Sequence, residues 1–435
     1  MKKTGLSPRF WAALIVFSLV GQIAWVVENM YFNVFIYKMF HASAGDISAM
    51  VAASAVAATL TTLLMGALSD KVGKRKLFIC AGYILWGVSI WSFALIRADV
   101  INKLFPAAVS AASVGVSLVI IMDCVMTFFG STANDACFNA WVTDSTDETN
   151  RGAAEGVNAM MPLLAILVVF GGFMGFDLDQ ASSWVTIYTV IGLAVIAIGV
   201  LGFFLIREPS IDRSGNRSWL GNLVYGFRPG VMKDNPALYW TLAAFAVFGI
   251  SIQIFMPYLI LYYEVSLGMK DYVLIMAPAI ILAAVVTFFY GRLYDRFHFR
   301  GTLLPALGML CGGYLLLYFT RTTVPVFLGS LLMMSGYLSG MAVFGAKVRD
   351  CTPAGKTGMF QGLRIVGQVL IPGVIGPWIG AWVLRNAETI VGSDGTESFI
   401  PHAGIFLAAL AAEAFVVPVA YLVFRSEQKA KGKKS

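Results

Sequence analysis

A run of twenty or so apolar residues leaves a chain little choice of structure in lipid, because each backbone N–H and C=O must be satisfied within the segment itself. This sequence reads as twelve such runs, about 10–37, 46–69, 77–97, 107–142, 153–175, 183–206, 238–264, 271–293, 302–320, 324–347, 358–385 and 400–424. The expected fold class is therefore an all-α polytopic membrane protein with twelve transmembrane helices. Composition agrees, with 58% hydrophobic residues against 13% charged. Lys2 and Lys3 followed by an apolar run imitate a signal peptide, yet no small-x-small cleavage site precedes Trp25 and the run continues past Tyr37, so the first span is expected to be retained. The odd number of cysteines, each in or beside a span, argues against a disulfide framework. His41, His298 and His402 are scattered singly, so neither a metal nor a cofactor is expected.

The net charge of +7 marks orientation and not a nucleic-acid partner. With both termini inside, only Lys38, Arg97, Lys103, Lys270, Arg321 and Arg385 fall outside, and the rest of the 31 Lys and Arg are cytoplasmic, as the positive-inside rule requires. The expectation is a monomer in the inner (plasma) membrane with both termini cytoplasmic. Residues 207–237, with Pro209, Pro229, Pro236 and several arginines, form the longest polar stretch. They read as a cytoplasmic linker between an N-terminal six-helix bundle (1–206) and a C-terminal one (238–435) that ends in a short basic tail.

Two internal echoes support that division. Gly66-Ala-Leu-Ser-Asp-Lys-Val-Gly-Lys-Arg-Lys76 recurs as Gly291-Arg-Leu-Tyr-Asp-Arg-Phe-His-Phe-Arg-Gly301, and Asp144-Ser-Thr146 … Gly152 … Glu155-Gly156 recurs as Asp350-Cys-Thr352 … Gly358 … Gln361-Gly362. Paired repeats in register indicate duplication. The extra residues of the first half belong near 98–116, around Pro106. The pattern G-x-L-x-D-[KR]-x-x-[KR] resembles the loop between the second and third helices of the major facilitator superfamily, and its second copy resembles that family's weaker echo between helices eight and nine. The resemblance implies two pseudo-symmetric six-helix bundles that rock around a midplane site. It also implies a conformational gate in the loops carrying Gly66, Asp70, Gly73, Lys74 and Arg75, and Gly291, Asp295 and Arg296.

Ionisable groups within spans are costly and mark candidate sites. Glu28 lies in the first span beside a stripe of Gln22, Trp25, Asn29 and Asn33 at helical spacing, a polar and aromatic face that suits a hydroxyl-bearing ligand. Asp135 lies about 13 Å above the loop that follows the fourth span, with Asn139 one turn below; Asp123, three turns outward, sits where it can be merely interfacial. In the eleventh span Gln361, Arg364 and Gln368 fit successive turns of one face, and repeat alignment sets Arg364 opposite Asn158. Gln253 and Tyr258 lie in the seventh span around Pro257, which loosens the helix. Packing alone also explains an aromatic stripe of this kind.

The run Asp135-Ala-Cys-Phe138 … Val142, before a charged loop, resembles helix four of the glycoside–pentoside–hexuronide:cation symporters of the melibiose-permease type, where the corresponding aspartate serves sugar and cation binding. The second span, however, carries no acidic pair like the one with which those carriers ligate sodium, and the fifth carries no arginine. Coupling to H⁺ through Glu28 or Asp135 is simpler to build, with Na⁺ left open, and the first span and basic loop also resemble sucrose:proton symporters. The expected function is uptake of a small polar solute such as a glycoside or oligosaccharide. Alternatives are proton-driven efflux of amphipathic drugs, a muropeptide or anionic-solute permease using Arg364 and Lys347, and a nutrient sensor that does not transport. No constellation of an enzyme is present.

Overall fold

The computed structural model describes residues 6–106, 110–147, 150–208, 225–353, 357–391 and 396–432. The chain divides into two compact units, Met1–Trp219 and Leu220–Ser435; most of the expected linker, 209–224, lies outside the described residues.

The first unit holds six membrane-length helices: α1 (Pro8–Phe40), α2 (Ala44–Val72), α3 (Arg75–Leu95), α4 (Ala111–Asp144), α5 (Arg151–Phe173) and α6 (Ala181–Leu205). Local chemistry sets their ends. A capping box in which Ser43 and Asp46 exchange backbone and side-chain hydrogen bonds opens α2. Gly73, at φ 67°, closes it in the left-handed conformation that glycine adopts without strain. The extra residues between α3 and α4 include a short helix, Ala98–Leu104. Helices α3 and α6 approach so closely that a Cβ on Gly192 would lie 2.8 Å from the Gly87 carbonyl and from Trp91. Gly192→Val is therefore expected to cost about 1–3 kcal/mol through overpacking, seen as a lowered melting temperature of the purified protein in detergent; an unchanged melt would show this contact to be loose.

The second unit contains α7 (Pro236–Ser266), a 47-residue helical stretch Val273–Phe319, α10 (Thr323–Cys351), α11 (Gly362–Leu384) and α12 (Gly404–Gln428). A 47-residue helix would run about 70 Å, more than twice a bilayer core. Its one non-helical residue, His298 at φ 52° and ψ −171°, breaks it into α8 (273–297) and α9 (299–319), making six spans. This corrects the expected loop over 294–301. Gly291, Asp295 and Arg296 stand on the exposed end of α8, and one residue in an unusual backbone conformation replaces the loop. Between α11 and α12 a small antiparallel hairpin pairs β1 (Thr389–Val391) with β2 (Glu397–Phe399).

Four spans contain wide π-helical turns: Val27–Tyr31 in α1, Ser131–Phe138 in α4, Tyr262–Ser266 in α7 and Val366–Leu370 in α11. Such turns concentrate at functional sites. Those in α1, α4 and α11 carry Glu28, Asp135 and Gln368, and the one in α7 carries Glu264. Pro257 falls in a 3₁₀ turn, Met256–Tyr258, that interrupts α7, the loosening expected of it.

Candidate functional site: a carboxyl ring in the first unit

Glu28 points into the first unit, with only 7% of its surface exposed. Its Oε1 accepts hydrogen bonds from Ser54 Oγ of α2 at 2.7 Å and from Thr127 Oγ1 of α4 at 2.9 Å. The two hydroxyl oxygens are themselves 2.8 Å apart. Three oxygens from three helices thus close a ring, while Glu28 Oε2 is buried without a partner. Neither Ser54 nor Thr127 stands out in the sequence, since a lone hydroxyl in an apolar helix has many uses.

Asp123 is not interfacial. It is 2% exposed, close enough to Glu28 and Ser54 to interact electrostatically, and its Oδ1 has no partner. The buried Tyr188 hydroxyl of α6, which has no hydrogen-bond partner, is near enough to interact with it electrostatically. Asp135 is half-buried and accepts a hydrogen bond from Ser131 at 3.0 Å. It is near enough to act electrostatically on Glu28. The Trp25 indole lies beside Asp135, but its Nε1 finds no acceptor in hydrogen-bond geometry; its ring packs on Trp86 at 5.0 Å.

The polar stripe of α1 is divided. Gln22 is half-buried and Asn29 exposed, whereas Asn33 is buried. Asn29 donates to the Trp25 carbonyl and Asn33 to the Asn29 carbonyl, at 2.7 and 3.0 Å, so both amides partly tie down the backbone around the π turn. Asn139, exposed, donates to the Asp135 carbonyl at 3.2 Å, and Asn158 accepts from Ser18.

In the second unit, Arg364 donates to Gln368 Oε1 at 3.1 Å and lines a cavity of about 290 Å³ with Leu238, Leu242, Arg349 and Phe360. The Gln361 side chain lies outside the described residues. Gln253 packs against Gly376. Tyr258 is fully buried and donates to the Pro377 carbonyl at 3.4 Å, so it belongs to the packing between α7 and α11 and not to an open face. Lys347 pairs with Glu427.

At the end of α2, Arg75 is buried and binds three groups: Asp70 at 2.5 Å, Asp144 of α4 at 2.9 Å and the Ser69 hydroxyl at 2.7 Å. It is the first residue of α3, not a loop residue, so the network ties together the ends of α2, α3 and α4. Gly66 offers its carbonyl to Ser69 at 2.9 Å, and Lys74 sits at the start of α3. The second copy is wired differently: Asp350 accepts from Tyr294 at 2.6 Å, and Arg300 lies over the Phe424 ring at 5.8 Å.

Among known proteins, the family model of the Major Facilitator Superfamily matches residues 10–377. Sugar efflux transporter B of Salmonella typhimurium is 25% identical over 201 residues, a match spanning 46% of each chain and so less than half of that relative. Solved structures of the same fold include a bacterial homolog of the human lysosomal transporter Spinster (15% identity, 98% of each chain, TM-score 0.67). A D-xylose–proton symporter (12% identity, 94% of this chain and 97% of that one, TM-score 0.68) shares it too. So does the nucleoside transporter NupG (12% identity, 95% and 98%, TM-score 0.67). The chain belongs to the Major Facilitator Superfamily: it is an all-α, multi-pass membrane transporter and not an enzyme.

Proposed function

We propose that this protein is a proton-coupled symporter of a small polar solute such as a glycoside or oligosaccharide, working by alternating access, with Glu28 as the coupling group. The observation that carries the reading is the ring of Glu28, Ser54 and Thr127. Three oxygen–oxygen contacts of 2.7–2.9 Å each need one hydrogen between them. The two hydroxyls bring two; if both donate to Oε1 the Ser54–Thr127 edge has none, whereas a proton on Oε1 lets that atom donate to one hydroxyl and accept from the other, closing a cooperative cycle. With Glu28 ionised, one edge would set two lone pairs face to face. The ring is thus complete only when Glu28 carries a proton.

Asp135, beside Trp25 and open to one side, is the second carboxyl of the coupling path. In the first unit the amide-bearing face of α1 is the candidate substrate contact of the reading; in the second, taken by itself, it is the Arg364–Gln368 pair. The sugar-related names among the similar proteins support the solute class. The cation bias supports an inner-membrane location with both termini cytoplasmic, and a monomer suffices.

Proteoliposomes with an imposed inward proton gradient and a panel of labelled glycosides, peptides and cationic dyes test the reading. Sugar uptake with matching internal acidification supports it. Sugar or dye moving against the proton flow would make the protein an exporter, the direction named for the Salmonella relative. Once a substrate is found, Ser54→Ala and Thr127→Val are each expected to lower accumulation about tenfold, the worth of one hydrogen bond to a buried carboxyl at about 1.4 kcal/mol. Unchanged accumulation in both would separate the ring from coupling.

A further inference from the structure

Glu413 of α12 plays no part in the coupling proposed for Glu28. It lies nine residues into the helix, about 14 Å along its axis, near the middle of a span. Only 3% of its surface is exposed, and both of its carboxyl oxygens are buried without a hydrogen-bond partner. From α9 the Cys311 thiol and the Tyr314 hydroxyl are near enough to interact with it electrostatically. From α7 comes Ser251, which is 3.0 Å from the Tyr314 hydroxyl and donates to the Ala409 carbonyl one turn from Glu413. No charged side chain adjoins it among the described residues.

A second observation falls at the same place. The regular hydrogen bonding of helix α12 is interrupted at Phe415, between Gly404–Ala414 and Val416–Gly432, although its backbone stays in the right-handed helical region (φ −73°, ψ −14°). Pro418 has no N–H to give the Ala414 carbonyl, and the chain turns there through a tighter bond from Phe415 N to the Ala412 carbonyl. The unpartnered carboxyl therefore sits against a weak point in its own helix.

We propose that Glu413 is a reversible proton-binding site of the second unit, distinct from Glu28, and that its occupancy sets the shape of α12 at the Phe415 break. The neutral acid fits the apolar, unpartnered setting between α7, α9 and α12. The carboxylate does not, because an unpaired charge there has neither water nor a cation. Loss of the proton drives the carboxyl toward water, and the break lets the two segments of α12 swing apart to admit it. The ligand is one proton, and the consequence is a carrier that responds to protons at two independent carboxyls.

Carbodiimide labelling of the full chain in detergent tests this without a transport substrate. Dicyclohexylcarbodiimide takes the acid proton on nitrogen, the carboxylate oxygen bonds to its central carbon, and the adduct rearranges to a stable N-acylurea that peptide mass spectrometry locates. Glu413 is expected to be modified at acid pH, with labelling falling about tenfold for each pH unit above its titration. A hydrophobic maleimide on Cys311 reacts faster as pH rises in any variant, because the thiolate is the nucleophile; the rise is expected to be steeper in the wild type than in Glu413→Gln. The maleimide also verifies that reagent reaches the site. Absent or pH-independent labelling of Glu413, with Cys311 accessible, overturns the proton site; pH-dependent labelling with the same Cys311 pH profile in the wild type and in Glu413→Gln overturns its link to α12. Labelling of Glu413 in Glu28→Gln is expected to match the wild type, so failure of the coupling reading and failure of this one are read separately.

Discussion

Glu28→Gln is expected to abolish proton-driven accumulation, lowering the steady-state solute gradient by at least about a hundredfold, while leaving the protein folded. The amide matches the acid in shape, and its NH2, turned into the place of Oε1, can donate one hydrogen to each hydroxyl. It therefore keeps the contacts with Ser54 and Thr127 that bind α1 to α2 and α4. What it cannot do is release the hydrogen. A ligand drives a conformational equilibrium only through differential affinity for its two states, and a group locked in the protonated form no longer responds to pH. The variant is thus expected to retain equilibrium exchange of substrate across the membrane, measured as counterflow in proteoliposomes without a proton gradient. Accumulation at wild-type level by Glu28→Gln would end the role of Glu28 in coupling. Asp135→Asn then becomes the informative variant, since Asp135 interacts with Glu28 across the same unit.

Why is Glu28 legible while its surroundings are not? An ionisable residue inside an apolar span is visible in composition, because its cost is independent of what surrounds it. The spans themselves are legible for the same reason: length and hydropathy act locally. Rotational register is not local. On a regular helix Gln22, Trp25, Asn29 and Asn33 form one stripe with Glu28 beside it, but the π turn at Val27–Tyr31 inserts a residue and rotates the rest of the helix by about 100°. Asn33 is thereby buried and Asn29 left exposed. No residue type announces such a turn. Asp123 escapes for a related reason: depth along α4 is readable, but not which neighbours cover it. The boundary between α8 and α9 fails differently. Arg292 to Gly301 is polar enough to read as a loop, yet a single unusual residue, His298, makes the turn.

Arg75→Ala is expected to have the largest effect on stability, about 3 kcal/mol, because it removes the buried guanidinium that Asp70, Asp144 and Ser69 share and the packing of its side chain. The Arg75 side chain is 6% exposed, Asp144 30% and Asp70 62%. These exposures predict an order of effects. Asp70→Asn loses a partner that water largely replaces and is expected to cost under about 1 kcal/mol; Asp144→Asn falls between the two. Arg75→Lys is not conservative here. The guanidinium serves Asp70, Asp144 and Ser69 from three separate nitrogens, a fork that an ammonium group cannot reproduce. The pairs are coupled, so the double variant Arg75→Ala with Asp144→Asn is expected to cost less than the two single variants together. Asp295→Asn supplies the contrast. It occupies the repeated position on an exposed helix end, while Asp350 and Arg300 take the partners Tyr294 and Phe424, and its expected cost is within about 0.5 kcal/mol. Thermal unfolding of the purified variants in one detergent measures the series. If Asp70→Asn or Asp295→Asn proved as damaging as Arg75→Ala, burial would not be what distinguishes these charges, and the motif would owe its strength to something other than the Arg75 network.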